Sequence, residues 1–275
     1  MIVLNGKELS DKIKENIKSE VDKLSIKPKL AVISVGNDEA SKVYVRNKEK
    51  ACNLVGIDFE LFHFDESTDE EIIRLIEELN FDDNISGILL QLPLPSNLNE
   101  GLLINHISYS KDVDALSIVS KGLQENKDCL FVPCTAKGII RLLDYYNIPL
   151  EGKHVVVVGR SKLVGMPVST ECLKRDATVT ICHSKTKDLS YYTKQADILI
   201  VATGNKYLID KTMIKNNSVI IDVGINRENN TLYGDVNIDT ESKCYAKTPV
   251  PGGVGPMTVA MLLENTLLAY KNVNK

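Results

Sequence analysis

The sequence predicts an α/β protein of two domains. Short apolar runs alternate with helical patterns in two separate blocks, and a stretch without clear period lies between them. Each block has the order expected when parallel strands are joined by helices that cover both faces of a sheet.

In the first block Leu9, Ile13, Ile17, Val21 and Leu24 recur at helical spacing. Residues 29–36 (KLAVISVG) form an apolar run ending in glycine, the pattern of a strand buried on both faces. A helix over 39–55, a strand over 57–64, a helix over 69–79 and a strand over 86–92 follow. Pro93 and Pro95 end that last strand, because proline supplies no N–H to a ladder. Residues 108–134 have no clear period and contain SKDVDALS; they read as a working loop and linker. A helix over 135–147 leads to the second block, with strands near 153–158, 177–182, 197–202 and 218–223. This implies a Rossmann-like, doubly wound parallel sheet. A last helix is expected over 257–270, after TPVPGGVGP.

Composition excludes several classes of function. With 275 residues, 43% hydrophobic and 25% charged, the chain is long enough to bury a large core. A net charge of -4 argues against a nucleic-acid partner, whose phosphates need a basic surface. Six cysteines without a C-x-x-C pair and four histidines without i,i+4 spacing give no metal signature. No apolar run approaches bilayer length, and the acid-bearing N-terminus resembles no targeting peptide, so no membrane role and a cytoplasmic location are expected.

The second block carries a cofactor signal. Its first strand runs into Gly159-Arg160-Ser161-Lys162-Leu163-Val164-Gly165-Met166-Pro167. A glycine turn between strand and helix is where a pyrophosphate meets helix N-terminal amides. Ser161 replaces the second glycine of G-x-G-x-x-G, and a ligand-free structural turn fits this segment as well. The second strand ends in Cys182-His183-Ser184-Lys185-Thr186, without the acid that holds a ribose 2′-hydroxyl in NAD-binding folds. Ser184, Lys185 and Arg160 can instead donate to a 2′-phosphate, which favours NADP. Thr203-Gly204 and Gly224-Ile225 follow two later strands; their glycines either let backbone approach a nicotinamide or are ordinary turn glycines.

The first block carries a charge in an unusual place. At helical pitch Ser41, Tyr44, Val45, Lys48, Ala51, Cys52 and Val55 share one face of helix 39–55. Lys48 therefore sits in an apolar stripe. It either snorkels to solvent or is held in a pocket with a lowered pKa suited to acid/base work. Tyr44 lies one turn earlier, for ligand stacking or for core packing. Gln91 and Leu92 close the strand 86–92, at the end where open α/β sheets bind ligands. Asp112 and Asp114 are two apart and point one way in extended chain. Gly252, Gly253 and Pro256 form a loop that admits close backbone approach.

Taken in order, VGNDEASKVYVRNKEKACNLVGI (35–57), GILLQLPLP (87–95), KDVDA (111–115), PCTAKG (133–138), GRSKLVGMP (159–167), CHSKT (182–186), DVGIN (222–226) and TPVPGGVGPMTVAMLLENT (248–266) resemble the methylenetetrahydrofolate dehydrogenase/methenyltetrahydrofolate cyclohydrolase family, the FolD family of bacteria. The resemblance implies NADP-dependent oxidation of 5,10-methylenetetrahydrofolate, then hydrolysis of the methenyl product to 10-formyltetrahydrofolate. It makes Lys48 the catalytic lysine, Gln91 its tuning partner, Tyr44 a stacking platform and Asp114 the holder of the pterin edge. Ser41, Leu92, Gly252, Gly253 and Pro256 would contact the folate. Gly159, Arg160, Ser161, His183, Ser184, Thr203, Gly204, Gly224 and Ile225 would contact NADP.

The same resemblance implies a folate-binding catalytic domain over 1–118, with 257–275 packing back on it. It implies an NADP-binding domain over 119–256, and a homodimer. The chain departs from the family's usual residues at Tyr109, Ala115, Ser120 and Ala136, where proline, glycine, asparagine and proline are common. Two other readings are an NADP dehydrogenase acting on a shikimate-like or amino-acid substrate, and a non-catalytic nucleotide sensor.

Overall fold

The computed structural model describes residues 1–126, 129–229 and 231–273, apart from the side chain of Ala40. Residues 127 and 128 of the expected linker and the last two residues of the segment 257–275 lie outside the described residues. In chain order the first elements are β1 (Ile2–Val3), α1 (Gly6–Val21), β2 (Lys29–Val35), α2 (Glu39–Val55), β3 (Asp58–Phe64), α3 (Asp69–Phe81), β4 (Gly87–Leu90), α4 (Glu100–His106) and α5 (Ile118–Leu123). Then come α6 (Cys134–Tyr145), β5 (His154–Val158), α7 (Gly165–Leu173), β6 (Thr178–Cys182), α8 (Leu189–Thr193), β7 (Ile198–Val201), β8 (Val219–Asp222), β9 (Asn226–Glu228), β10 (Thr231–Tyr233), β11 (Ala246–Lys247) and α9 (Val254–Val273). The chain divides into two compact units, Met1–Ser10 with Thr135–Thr258 and Asp11–Cys134 with Val259–Lys275.

The unit formed by Asp11–Cys134 and Val259–Lys275 holds a three-stranded parallel sheet in the order β3-β2-β4. Central β2 is buried from Leu30 to Val35 and apolar there except for Ser34, as suits a strand with two neighbours and two covered faces. Helix α2 is started by Asp38, whose carboxylate accepts from the Ser41 N–H. Helix α3 carries a reciprocal capping box between Thr68 and Glu71, and its buried Ile72, Ile76 and Leu79 pack over Ile33, Ile88 and Leu90. A bridge from Ile88 to Asp112 lays the segment 111–113 alongside β4 in parallel.

The stretch 108–134, expected as loop, is partly helical, and α4 was not anticipated. Both α4 and α5 are shorter than two turns, too short for a period to stand out, and side-chain caps define them instead. Asn99 accepts from the Leu102 N–H, and Ser117 from the Ser120 N–H. Asp112 fastens the start of α5: it accepts from the N–H groups of Leu116 and Ser117 and, at 2.6 Å, from the Ser120 hydroxyl. Ser120 is thus a buried donor to a buried acid. Ala115 has φ +56°, the left-handed region in which glycine is unstrained and alanine costs about 1 kcal/mol. Tyr109 accepts from the Leu130 N–H at 2.7 Å and tilts its ring against Phe131.

The unit formed by Met1–Ser10 and Thr135–Thr258 holds a six-stranded sheet in the order β1-β11-β8-β7-β5-β6, with every pair parallel. Its strands β5, β7 and β8 are valine- and isoleucine-rich and buried along almost their whole length. The two-residue strands β1 and β11 carry no readable pattern, yet they extend this sheet with the first residues of the chain. β9 and β10 form a small antiparallel hairpin after β8.

Candidate active site

Lys48 projects from the third turn of α2. Its ammonium donates to Gln91 Oε1 at 2.7 Å. Gln91, just past the end of β4, donates its own Nε2 to the Leu92 carbonyl at 2.6 Å. That second bond orients the amide, so its oxygen rather than its nitrogen meets the lysine. Lys48 keeps part of its surface exposed while the amine lies among protein atoms, and loss of hydration lowers its pKa. Asp114, Cys134 and Cys52 pull the other way without reversing the direction.

Asp114 sits two residues beyond the β4-bound Asp112. Burial raises its pKa, while Lys48 and two hydrogen bonds from Cys134, through thiol and backbone N–H, favour the carboxylate. The thiol also lies 3.4 Å from the Val113 carbonyl, but Asn265 of α9 donates to that carbonyl at 2.8 Å and approaches Cys134 Sγ at 3.6 Å. A carbonyl oxygen accepts two hydrogen bonds, so Val113 and Asp114 share the one thiol proton. Burial pushes the Cys52 thiol up to about 12, which disfavours the thiolate form.

Four of the sequence-selected groups therefore gather in one unit: Lys48 and Gln91 in contact, Leu92 orienting Gln91, and Asp114 within electrostatic reach of the amine. Tyr44 and Ser41 lie on the same helix. Tyr44 is 43% exposed. The Ser41 hydroxyl is buried and, among the described residues, is the one buried side-chain nitrogen or oxygen without a partner. An unmet hydroxyl costs about 1–3 kcal/mol, so the position suits a polar ligand group. Asp112, considered beside Asp114, is instead a structural cap. Cys134 and Asn265 had no sequence signal beyond lying in PCTAKG and in the last helix.

The other cofactor and ligand positions belong to the unit with the larger sheet. The β5 turn is tight: a Cβ on Gly159 would meet the Ala202 carbonyl at 2.3 Å, and one on Gly165 the Gly159 carbonyl at 2.2 Å. Ser161 Oγ accepts from the N–H groups of Val164 and Gly165 at 3.1 and 3.4 Å, shaping the entry to α7. Because Val158 and Cys182 are register partners in β5 and β6, Arg160 and Ser184 emerge from neighbouring strand ends, and both are exposed. His183 is half-buried and accepts at Nδ1 from the Lys185 N–H. With Arg160, Ser184 and Lys185 there and no carboxylate before Asp188, the donor set fits a 2′-phosphate.

Thr203 and Gly204 follow β7, and Gly224 and Ile225 follow β8. Gly204 stands in the left-handed region with open space where a side chain would be, and Ile225 is exposed. Gly224 is buried against Asp235, an acid that no sequence pattern singled out. In the third loop the Gly252 carbonyl accepts from the Lys7 N–H and the Pro256 carbonyl from the Ser10 hydroxyl, while Gly253 is buried.

Among the described residues, no three His, Cys, Asp or Glu side chains are grouped to hold a metal, and no helix is long and apolar enough to cross a membrane.

Residues 4–114 match the catalytic domain of tetrahydrofolate dehydrogenase/cyclohydrolase, and residues 133–274 match the NAD(P)-binding domain of the same enzymes. The bifunctional protein FolD of Acetivibrio thermocellus is 51% identical over 275 residues, covering 98% of this chain and 96% of its own. The crystal structure of FolD, a methylenetetrahydrofolate dehydrogenase/cyclohydrolase, from Campylobacter jejuni is 46% identical and superposes with a TM-score of 0.97, covering 99% of each chain. The Trypanosoma brucei methylenetetrahydrofolate dehydrogenase-cyclohydrolase, solved with NADP and an inhibitor, is 33% identical with a TM-score of 0.96, over 100% of this chain and 99% of its own.

Proposed function

The chain belongs to the tetrahydrofolate dehydrogenase/cyclohydrolase family, and from that premise we propose the work of its individual residues. The family's chemistry is folate one-carbon interconversion: oxidation of 5,10-methylenetetrahydrofolate to the methenyl compound, and hydrolysis of that compound to 10-formyltetrahydrofolate. NADP, when bound, accepts the hydride that leaves the methylene bridge. Gly159, Arg160, Ser161, His183, Ser184, Thr203, Gly204, Gly224 and Ile225 would hold it, with Arg160 and Ser184 on the 2′-phosphate. The oxidation transfers no proton to the protein, so positioning is the protein's contribution.

Hydrolysis is where Lys48 acts. The methenyl bridge carries a delocalised positive charge over N5, carbon and N10, which a charged lysine would repel. The lowered pKa of Lys48 brings the neutral amine within easier reach than in an exposed lysine, and that form takes a proton from the water that adds to the bridge carbon. As the carbon–N5 bond breaks, Lys48 returns that proton to N5, the hydroxyl on the bridge carbon loses its own proton to solvent as its oxygen becomes the carbonyl, and the formyl group remains on N10. Gln91 aims the amine through its oxygen. Asp114 accepts from the N–H and amino group of the pterin edge, Tyr44 stacks on the folate, and Ser41 and Leu92 complete its contacts. Gly252, Gly253 and Pro256 are assigned to the substrate as well.

The observation that carries this reading is the 2.7 Å bond from Lys48 to an amide oriented by its own neighbour, where burial lowers the lysine's pKa. We assign folate handling to residues 1–118 with 257–275 and cofactor binding to 119–256; by their contacts residues 1–10 join the unit of the larger sheet and residues 119–134 that of the smaller one. A cytoplasmic homodimer is part of the same proposal, checked by light scattering on the eluted protein. The activity is tested by supplying methylenetetrahydrofolate and NADP together. Folate-dependent formation of NADPH is expected; its absence overturns the assignment, and tight NADP binding without either reaction would make the chain a sensor.

A further inference from the structure

We propose that Asp235 is a positioning residue that ties together, through one buried carboxylate, the two strand-end loops that receive the nicotinamide end of the cofactor. The inference rests on the NADP reading above and goes beyond it by naming what holds those loops in place.

Strands β7 and β8 run side by side, with Val201 opposite Asp222, so the segments that leave their ends emerge together. Beyond those ends the backbone ladder stops and another link is needed. Asp235 Oδ2 accepts from the Thr203 N–H at 2.6 Å, the Thr203 hydroxyl at 2.9 Å and the Gly204 N–H at 3.0 Å. Its Oδ1 accepts from Asn226 Nδ2 at 3.0 Å. One carboxylate thus takes four donors, three from the β7 loop and one from Asn226, the first residue of β9, where the β8 loop ends. The side chain has no solvent exposure, so water cannot replace a lost partner.

The acid is itself built in. Its backbone N–H donates to Asp222 Oδ1 at 2.9 Å, and Asp222 also accepts from the N–H groups of Gly224 and Val236. A Cβ on Gly224 would lie 2.1 Å from Asp235 Oδ1, and one on Gly234 would lie 1.9 Å from Asp222 Oδ2. Gly224, whose role was open between ligand approach and a turn, is therefore required by the packing of Asp235. Pre-set loops lower the entropy cost of receiving the cofactor, so loosening them should weaken NADP binding.

The test uses the full-length chain and the reversal of one hydrogen bond. Asp235→Asn leaves one acceptor oxygen and introduces an NH2 group that faces the NH2 of Asn226. Asp235→Asn combined with Asn226→Asp restores the bond between the two side chains, the new amide donating to the new carboxylate with its oxygen still facing Thr203 and Gly204, at the loss of the longer 3.4 Å bond from Asn226 to the Tyr233 carbonyl. NADP affinity by titration, the KM for NADP and for methylenetetrahydrofolate, and the hydrolysis rate, which needs no cofactor, are measured on each.

Asp235→Asn is expected to raise the Kd and KM for NADP at least tenfold while hydrolysis and the folate KM stay within about twofold. The double variant is expected to recover most of the loss. Unchanged NADP affinity, an equal loss of hydrolysis, or no recovery in the double variant overturns the proposal. If Asp235→Asn does not fold, Asn226→Ala must raise the NADP KM alone, and no rise overturns it. Failure of the unaltered protein to bind NADP would instead sink the cofactor reading.

Discussion

Lys48 and Gln91, 43 residues apart in sequence, meet at 2.7 Å, with the glutamine oxygen fixed toward the amine because the glutamine nitrogen is committed to the Leu92 carbonyl. The lysine thus has a neutral acceptor at its nitrogen and an acid, Asp114, as its largest favourable charge. The balance between those two neighbours sets how much of it is uncharged.

Gln91→Glu replaces the neutral acceptor with a carboxylate. An anion at that distance favours the ammonium form, so the pKa of Lys48 rises. Hydrolysis, which uses the free amine, should then require higher pH, with the rising limb of its pH profile displaced upward. A profile that keeps its position would contradict the geometry.

Asp114→Asn acts in the opposite sense on the lysine. Losing the charge that favours the ammonium lowers the pKa of Lys48 further, and the same limb should move to lower pH. The pterin edge also loses a charge-assisted acceptor, so the folate KM should rise about 10- to 100-fold. A KM equal to that of the unaltered chain would remove Asp114 from the substrate site.

Ser120→Ala deletes the hydroxyl that donates to buried Asp112 at 2.6 Å. A hydrogen bond to a buried acid is worth about 1.5–3 kcal/mol, and denaturant unfolding should show a loss of that size. A change under about 0.5 kcal/mol would mean that the start of α5 is held by the backbone bonds alone.

Asp222 gives a pH dependence with a definite sign. Burial raises its pKa from 3.8 to about 6, so the folded state binds a proton more readily than the unfolded chain. Its favourable contribution is fully present below about pH 4 and is lost as pH rises through about 6. The full difference is about 3 kcal/mol to order of magnitude. The stability of the unaltered chain minus that of Asp222→Asn should fall across that window; a flat difference would place the titration elsewhere.

Much of this was legible in the sequence because some elements are long. Helix α2 spans 17 residues, enough for its apolar stripe to expose Lys48 as a charge out of place. Gln91 was legible from its place at a strand's C-terminal end, and Arg160 and Ser184 from a missing acid. Other features depend on contacts that no local pattern encodes. Asn265 reaches Val113 across 152 positions, and Asp235 reaches Thr203 across 32. The roles of Cys134, which donates to Asp114, and of Gly224, which makes room for Asp235, follow from such neighbours. Asp112 and Asp114 share an extended-chain direction in the sequence, yet one caps α5 and the other faces Lys48, because residues 112–115 form a turn, closed by the Ala115 N–H on the Asp112 carbonyl, and not an extended segment.

The central claim is that Lys48 moves the proton in hydrolysis and has no part in holding the cofactor. Its most direct test measures methenyltetrahydrofolate hydrolysis and NADP affinity on Lys48→Met beside the unaltered chain. Hydrolysis should fall by about 10²- to 10⁴-fold, the usual contribution of a positioned acid or base, with NADP affinity unchanged. Normal hydrolysis by Lys48→Met would contradict the account.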